Sequence, residues 1–188
     1  DVDPCKTDMG HPGNGTTVNY NQTGSISGTP WGYEIWFDGG NNSMTYYSNG
    51  TFKASWSGSN DFLARVGYRY GDNGPGIDHN DYQFTVDYSY KKQSQSAGYG
   101  YIGVYGWTVN PQVEYYIVDD WYSQPNEQYI GAKFGEITVD GAKYTIHAFL
   151  RQEEPSKTGT STFLQIFSVR QTPRQCGHID ISAHFKKW

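Results

Sequence analysis

Apolar and polar residues alternate along most of the chain, in short segments separated by Gly, Asn and Asp. A period of two places alternate side chains on one face of a strand, and strands favour aromatic and β-branched residues. The pattern predicts strands at Trp31–Phe37, Ser43–Tyr47, Thr51–Trp56, Tyr82–Tyr90, Tyr99–Trp107, Val113–Val118, Lys143–Leu150 and Thr160–Val169. Turn signals at residues 38–41, 48–50 and 139–141 separate strands, which is typical of a β-sandwich or barrel.

The C-terminal end is the only segment with a helical pattern. Ser182 can cap a helix there, with Phe185 and Trp188 three residues apart on one face. Residues 1–15 contain several Pro and Gly residues and are predicted to form an irregular arm. Since the sequence holds no repeat and no linker, it predicts one domain over residues 1–188, whose first 28 residues contain the arm and a first strand.

The composition agrees with an all-β chain that meets a neutral ligand. The 188 residues are 17% aromatic and include 23 Gly, whereas charged residues make up only 18%. The formal net charge of -5 gives no basic footprint for nucleic acid. No stretch approaches the ~20 apolar residues of a membrane span, so no membrane partner is expected. A surface rich in Tyr, Ser, Thr, Asn and Gly suits a ligand covered with hydroxyl groups.

The two cysteines and the glycosylation sequons favour a secreted protein. The sequence lacks a signal peptide and is interpreted as a mature chain whose leader, if any, has been removed. In an oxidising compartment Cys5 and Cys176 could form one bridge that pins the arm to the C-terminal region, and two unrelated thiols are the alternative. The sequence also carries Asn-x-Ser/Thr sequons, which favour an extracellular location; they begin at Asn14, Asn21, Asn41 and Asn49.

Glu114 is the first candidate for chemistry. On a strand, Glu114 and Tyr116 share a face while Tyr115 points the other way. A carboxylate beside a phenol on an aromatic sheet suits a glycosidase, because such an enzyme needs a carboxylate as nucleophile or base and a hydroxyl group that orients it. The alternative is a strand glutamate that faces solvent.

Residues 111–121 read Pro-Gln-Val-Glu-Tyr-Tyr-Ile-Val-Asp-Asp-Trp. This segment resembles the nucleophile motif of glycoside hydrolase family 11, the endo-β-1,4-xylanases, and the resemblance runs from about Gly32 to the end of the chain. It implies an all-β fold, a two-sheet β-jelly-roll sandwich with a concave cleft and one short helix near the C-terminus. It also implies retaining hydrolysis of β-1,4-linked xylan, with Glu114 as the nucleophile and Tyr105 and Tyr116 beside it.

The same resemblance implies roles for Trp36 and Asp61, which lie nearer the N-terminus. Trp36 matches a tryptophan that stacks on a sugar of the neutral substrate, and a core tryptophan is the alternative. Asp61 matches the residue that hydrogen-bonds the acid/base carboxyl group, and a turn aspartate that caps backbone N–H groups is the alternative. Because two carboxyl groups that share a proton titrate together, we expect an acid-shifted pH optimum.

Residues 151–159 resemble the family's thumb, a hairpin that closes over the substrate. Pro155 matches its Pro-Ser-Ile tip, whereas Lys157 stands where the family has Ile. Arg151 matches an arginine of the cleft, and Gln165 matches a glutamine that binds the sugar. The resemblance therefore implies that Arg151, Pro155 and Gln165 bind substrate.

One residue that the resemblance implies is missing. In the family, a strand after the helix carries the second catalytic glutamate, the general acid/base. A retaining mechanism needs two carboxyl groups, and none of the other glutamates matches that motif. We expect the acid/base residue, with the family's C-terminal strands, in a segment beyond Trp188. A non-catalytic homologue, or another residue in the acid role, are the alternatives.

The expected partner is xylan or xylo-oligosaccharides, bound by a monomer that needs no metal or other cofactor. The five His residues show no metal-ligand spacing, and the sequence has no nucleophile elbow and no Walker loop. A carbohydrate-binding protein without turnover and a β-glucanase on a related jelly roll are the competing hypotheses.

Overall fold

Strands dominate the computed structural model, which describes residues 2–70, 76–93 and 98–188. The strands are β1 (Thr16–Val18), β2 (Gln22–Ser25), β3 (Gly32–Asp38), β4 (Asn41–Tyr46), β5 (Phe52–Ser57), β6 (Asp61–Gly67), β7 (Thr85–Ser89), β8 (Tyr101–Trp107), β9 (Val113–Trp121), β10 (Lys133–Val139), β11 (Ala142–Ser156), β12 (Gly159–Arg170) and β13 (Cys176–Asp180). The helices are α1 (Glu127–Ile130) and α2 (Ile181–Lys187), and a 3₁₀ turn spans His79–Asp81. The all-β class predicted from alternation is thereby confirmed.

Some boundaries differ from the predictions. The predicted strand at Tyr82–Tyr90 is too long, because the Phe84 N–H donates to the Ser182 hydroxyl (2.8 Å) instead of a ladder partner. The single turn of α1 was not predicted; its N-cap Asn126 accepts a hydrogen bond from the Gln128 N–H (2.9 Å). Four further strands were not predicted individually: β2 and β6 both pair with β3, β10 pairs with β11, and β13 pairs with β7.

The chain divides into two compact units, of which one is Met9–Gly74. It contains two three-stranded antiparallel sheets, ordered β1-β4-β5 and β2-β3-β6. Its core is a cluster of buried apolar side chains: Val18, Ile26, Tyr33, Ile35 and Met44. The β3–β4 turn uses Gly39 and Gly40, whose φ angles of 72° and 80° lie in the left-handed region that favours glycine.

The other unit comprises Asp1–Asp8 and Pro75–Trp188. Its main sheet has the order β10-β11-β12-β9-β8, and a separate ladder joins β13 to β7. Neighbours in the main sheet are antiparallel except β9 and β12, which run parallel. Parallel strands need a crossover between them, and here α1, β10 and β11 supply it.

Helix α2 packs on the face of this sheet that carries Tyr115. The Tyr115 ring meets Phe185 and Trp188 at centroid distances of 5.0 and 5.8 Å. The predicted N-cap, Ser182, is wrong: Asp180 caps the helix by accepting a hydrogen bond from the Ala183 N–H (3.0 Å). β13 ends at Asp180, so the chain enters the helix two residues earlier than the sequence indicated.

A disulfide and a buried aspartate stabilise this unit. Cys5 and Cys176 are bonded, with Cα atoms 5.1 Å apart, which confirms the predicted bridge. Asp119 is fully buried. Its carboxylate accepts hydrogen bonds from the Tyr144 hydroxyl (2.5 Å), the Tyr88 hydroxyl (2.7 Å) and Arg174 Nε (2.7 Å). Burial, together with this carboxylate, raises the pKa of both tyrosines. Three donors compensate the burial of the charge.

Candidate active site

The carboxylate of Glu114 is buried in β9, with 8% of the residue exposed. Its Oε2 accepts a hydrogen bond of 2.5 Å from the Tyr105 hydroxyl. Its Oε1 accepts a hydrogen bond from Gln165 Nε2. Each oxygen thus accepts at least one hydrogen bond from a described residue, and together these bonds fix the plane of the carboxylate.

Strand register brings these groups together. In the antiparallel β8–β9 ladder, Trp107 lies opposite Glu114 and Tyr105 opposite Tyr116. In the parallel β9–β12 ladder, Gln165 lies opposite Glu114. Residues directly opposite each other point to the same face, so all five side chains share one face of the sheet.

Arg151 on β11 orients the amide of Gln165. Its Nε donates to Gln165 Oε1 (2.7 Å), and its guanidinium also donates to the Tyr129 carbonyl (3.2 Å). The guanidinium lies 4.5 Å from the centroid of the Phe149 ring. Because the amide oxygen is occupied by a cationic donor, the amide nitrogen is directed to Glu114.

Aromatic contacts support the Tyr105 hydroxyl. Tyr116 stacks on Phe167 at 4.4 Å and meets the Tyr105 ring at 4.9 Å. Trp107 Nε1 donates to the Tyr105 oxygen (3.0 Å), and the Trp107 ring packs on Phe163.

Sequence reasoning named Tyr105 and Tyr116 but assigned no role to Trp107. Its spacing of two residues from Tyr105 on one strand was the signal for a shared face.

Pro155 lies on the same hairpin as Arg151 but further along it. It is exposed in β11 and pairs with Thr160 in β12. The ladder register shifts between Arg151 and Glu154, so a β-bulge separates the tip of the hairpin from the strands that carry Arg151 and Gln165.

Trp36 and Asp61 belong to the unit Met9–Gly74. Trp36 is 39% exposed on β3, so the alternative of a core tryptophan is wrong. Asp61 is the first residue of β6, is exposed, and accepts a hydrogen bond from the Phe62 N–H (2.9 Å). On the same unit Glu34 forms an ion pair with Arg65 (3.0 Å).

Within the described residues the Glu114 site is built from protein groups alone. No cluster of three or more His, Cys, Asp or Glu side chains there is arranged to hold a metal ion. No helix of the described part of the chain is long and apolar enough to cross a membrane. A buried carboxylate with an ordered phenol and amide is equipped to act as a nucleophile or as a base toward a bound neutral ligand.

The sequence profile of a known family, "Glycosyl hydrolases family 11", matches residues 27–188. The chain belongs to this family. Among curated members, endo-1,4-beta-xylanase C of Fibrobacter succinogenes is 52% identical over 197 residues, which cover 100% of this chain and 31% of that protein. Endo-1,4-beta-xylanase S20 of Neocallimastix patriciarum is 46% identical over 189 residues, covering 98% of this chain and 55% of that protein. The family 11 chain thus spans between about a third and about half of the length of these relatives.

Solved structures of family 11 have the same fold. The crystal structure of wild-type ENZbleach xylanase superposes with a TM-score of 0.88 at 34% identity, covering 100% of this chain and 79% of that one. The likeness confirms the predicted family and its jelly-roll fold.

Proposed function

We propose that the chain is the catalytic region of an endo-1,4-β-xylanase that cleaves β-1,4-xylosidic linkages with retention of configuration. The buried Glu114 carboxylate, held by the Tyr105 hydroxyl and the Gln165 amide, carries this proposal. The two relatives described above, which bear the name endo-1,4-beta-xylanase, support the same substrate.

In this reaction Glu114 attacks the anomeric carbon of a bound xylose. A carbon–oxygen bond to Glu114 forms as the glycosidic bond breaks, and the departing oxygen takes a proton from the acid/base residue. Water, deprotonated by the same residue, then attacks the glycosyl-enzyme and frees the carboxylate. The mechanism requires the acid/base carboxyl group about 5–5.5 Å from Glu114.

The other predicted residues take supporting roles in this proposal. Tyr116 and Arg151 act through Tyr105 and Gln165, because they contact those two side chains. Trp36 and Pro155 would contact xylan or xylo-oligosaccharides at subsites further from the cleaved bond. Asp61 would hydrogen-bond the acid/base residue. The enzyme would be secreted and monomeric, would need no cofactor, and would bind neither nucleic acid nor membrane.

Reducing-sugar release from xylan tests the proposal on the complete protein. We expect release that Glu114→Gln abolishes, while Glu136→Gln retains it, because Glu136 is an exposed carboxylate on β10 paired with lysines. Trapping of a glycosyl-enzyme on Glu114 would identify the retaining pathway.

A carbohydrate-binding protein without turnover is the second candidate. Xylan binding by the complete wild-type protein without any release of reducing sugar would favour this candidate and contradict the proposal. Hydrolysis of cellulose in preference to xylan would point instead to a β-glucanase.

A further inference from the structure

The tip of the β11–β12 hairpin is hydrogen-bonded to the turn that precedes Glu114. Gln112 Nε2 donates to the Ser161 hydroxyl (3.0 Å). The Thr158 hydroxyl donates to Gln112 Oε1 (3.0 Å). One side chain therefore binds the tip and the second limb of the hairpin at the same time.

A β-bulge separates the hairpin tip from the rest of β11 and β12. Beyond the bulge the two limbs pair at only three positions: Glu154 with Ser161, Pro155 with Thr160 and Ser156 with Gly159. Glu153, inside the bulge, has a φ angle of 53°, which is an unfavourable conformation for a non-glycine residue. Glu153 and Thr162 are joined by two hydrogen bonds of 3.3 Å. The bulge is therefore the point at which the tip can bend.

The tip itself is well ordered by one hydroxyl group. Ser156 Oγ donates to the Gly159 carbonyl (2.5 Å) and accepts from the Thr158 N–H (3.2 Å) and the Ser161 hydroxyl (2.8 Å). These bonds lie within residues 156–161, so they do not oppose bending at the bulge. The tip would move as one body.

The turn that carries Gln112 is braced at both ends. The Thr108 hydroxyl donates to the Pro111 carbonyl (2.7 Å) and accepts from the Val113 N–H (3.1 Å). The Thr108 N–H also donates to the Val113 carbonyl (2.8 Å). Gln112 lies just before β9, and its partner Ser161 is on β12 four residues from Gln165, so on the face of the sheet that carries Glu114. It extends from a fixed support toward a hairpin that can bend.

We propose that Gln112 is a positioning residue that holds the β11–β12 hairpin tip on the Glu114 face, ready to contact the polysaccharide. The catalytic consequence rests on the proposed xylanase function, whereas the attachment itself does not. The bond to Thr158 is exposed and the bond to Ser161 is half-buried. Because such bonds each contribute modestly, losing both should shift the equilibrium between the held and the released tip by about tenfold. A released tip must be ordered again by each substrate that binds, so the cost falls on KM more than on kcat.

Hydrogen exchange with mass spectrometry on the complete protein tests the attachment without reference to activity. In Gln112→Leu we expect amides of residues 152–162 to exchange about tenfold faster, while residues 142–150 keep the wild-type rate. Thr158→Val removes one of the two bonds and should give a smaller increase. Gln171→Leu, an exposed glutamine beyond the other end of β12, is the matched control.

Kinetics on xylan test the consequence for the reaction. For Gln112→Leu we expect KM to rise at least about threefold with kcat changed less than about twofold. Gln112→Glu should lower KM part of the way back to the wild-type value, because its carboxylate still accepts from the Thr158 hydroxyl but offers no donor to Ser161, whose own proton is donated to Ser156. A merely structural defect would not be rescued in this way.

The outcomes separate the two hypotheses. Unchanged exchange of residues 152–162 in Gln112→Leu would overturn the attachment, whatever the protein hydrolyses. Faster exchange with unchanged KM and kcat would overturn the positioning role and leave the xylanase function intact. A wild-type protein without xylanase activity would refute the proposed function, and with it the catalytic role of Gln112, while the exchange experiment still decides on the attachment.

Discussion

His184 is expected to make the folded chain sensitive to mild acid. The residue lies in α2 with 0% of its surface exposed. Neither ring nitrogen has a hydrogen-bond partner in the part of the chain that the structure describes, and the ring meets Tyr144 edge-on at 4.6 Å. Burial lowers the pKa of His184 to about 4, although the carboxylates of Asp119, Asp180 and Asp140 act in the opposite direction.

The size of the effect follows from this pKa. In the unfolded chain His184 takes up a proton near its ordinary pKa of 6.5, whereas in the folded chain it does so only near 4. The unfolded state binds more protons between these two pKa values. The contribution of neutral His184 to the free energy of unfolding is therefore fully present above pH 6.5 and is lost as the pH falls toward 4. One pKa unit corresponds to about 1.4 kcal/mol, so the complete loss amounts to about 3 kcal/mol.

Urea unfolding between about pH 7.5 and about pH 4 measures this loss. Carboxylates also titrate in this range, so the comparison is with His184→Leu, which fills the site with an apolar side chain and removes the proton-binding group. The variant should lose about 3 kcal/mol less than the wild type over the same range. His11→Asn, at an exposed histidine, should follow the wild type. Parallel curves for wild type and His184→Leu would refute the reasoning.

Three further predictions concern the active site and the disulfide. Tyr105→Phe removes a hydrogen bond to the charged Glu114, so kcat/KM on xylan should fall about 10- to 100-fold with an unchanged circular dichroism spectrum; an unaffected kcat/KM would contradict this role. Replacing both Cys5 and Cys176 by Ser should lower the free energy of unfolding by about 2–4 kcal/mol, measured in urea, and wild type in reductant should match the variant. Asp61→Asn should move the optimum of the pH–rate profile upward, since it removes a carboxyl group expected to share a proton with the acid/base residue. A wild-type optimum above about pH 7 that the substitution leaves in place would refute that assignment.

Local patterns predicted the strands but not their partners. Alternation located β8 and β9, and it correctly placed Glu114 and Tyr116 on one face. The hydrogen bond between Gln165 and Glu114 joins residues 51 positions apart through a parallel register. No short-range pattern encodes such a register, so only the resemblance to a family indicated that Gln165 belongs to the site.

Long-range contacts also explain why the N-cap of α2 was predicted at the wrong residue. Asp180 and Ser182 are both residue types that cap helices well. Pairing of β13 with β7 continues to Asp180, and the Ser182 hydroxyl is occupied by the Phe84 N–H. Long-range contacts therefore decided between two caps that were equivalent in the sequence.

The Glu114 site depends on the register of β9 and β12, and contacts on the reverse face of the sheet stabilise that register. A slip of one residue between β9 and β12 would turn Gln165 away from Glu114, because side chains alternate between faces. The Trp188 indole donates to Ser168 (3.0 Å), a fully buried residue of β12 on the reverse face. The same helix end packs on Tyr115 of β9. Helix α2 thus contacts both strands of the parallel pair and holds them in the one register that gives the Glu114 carboxylate its amide donor.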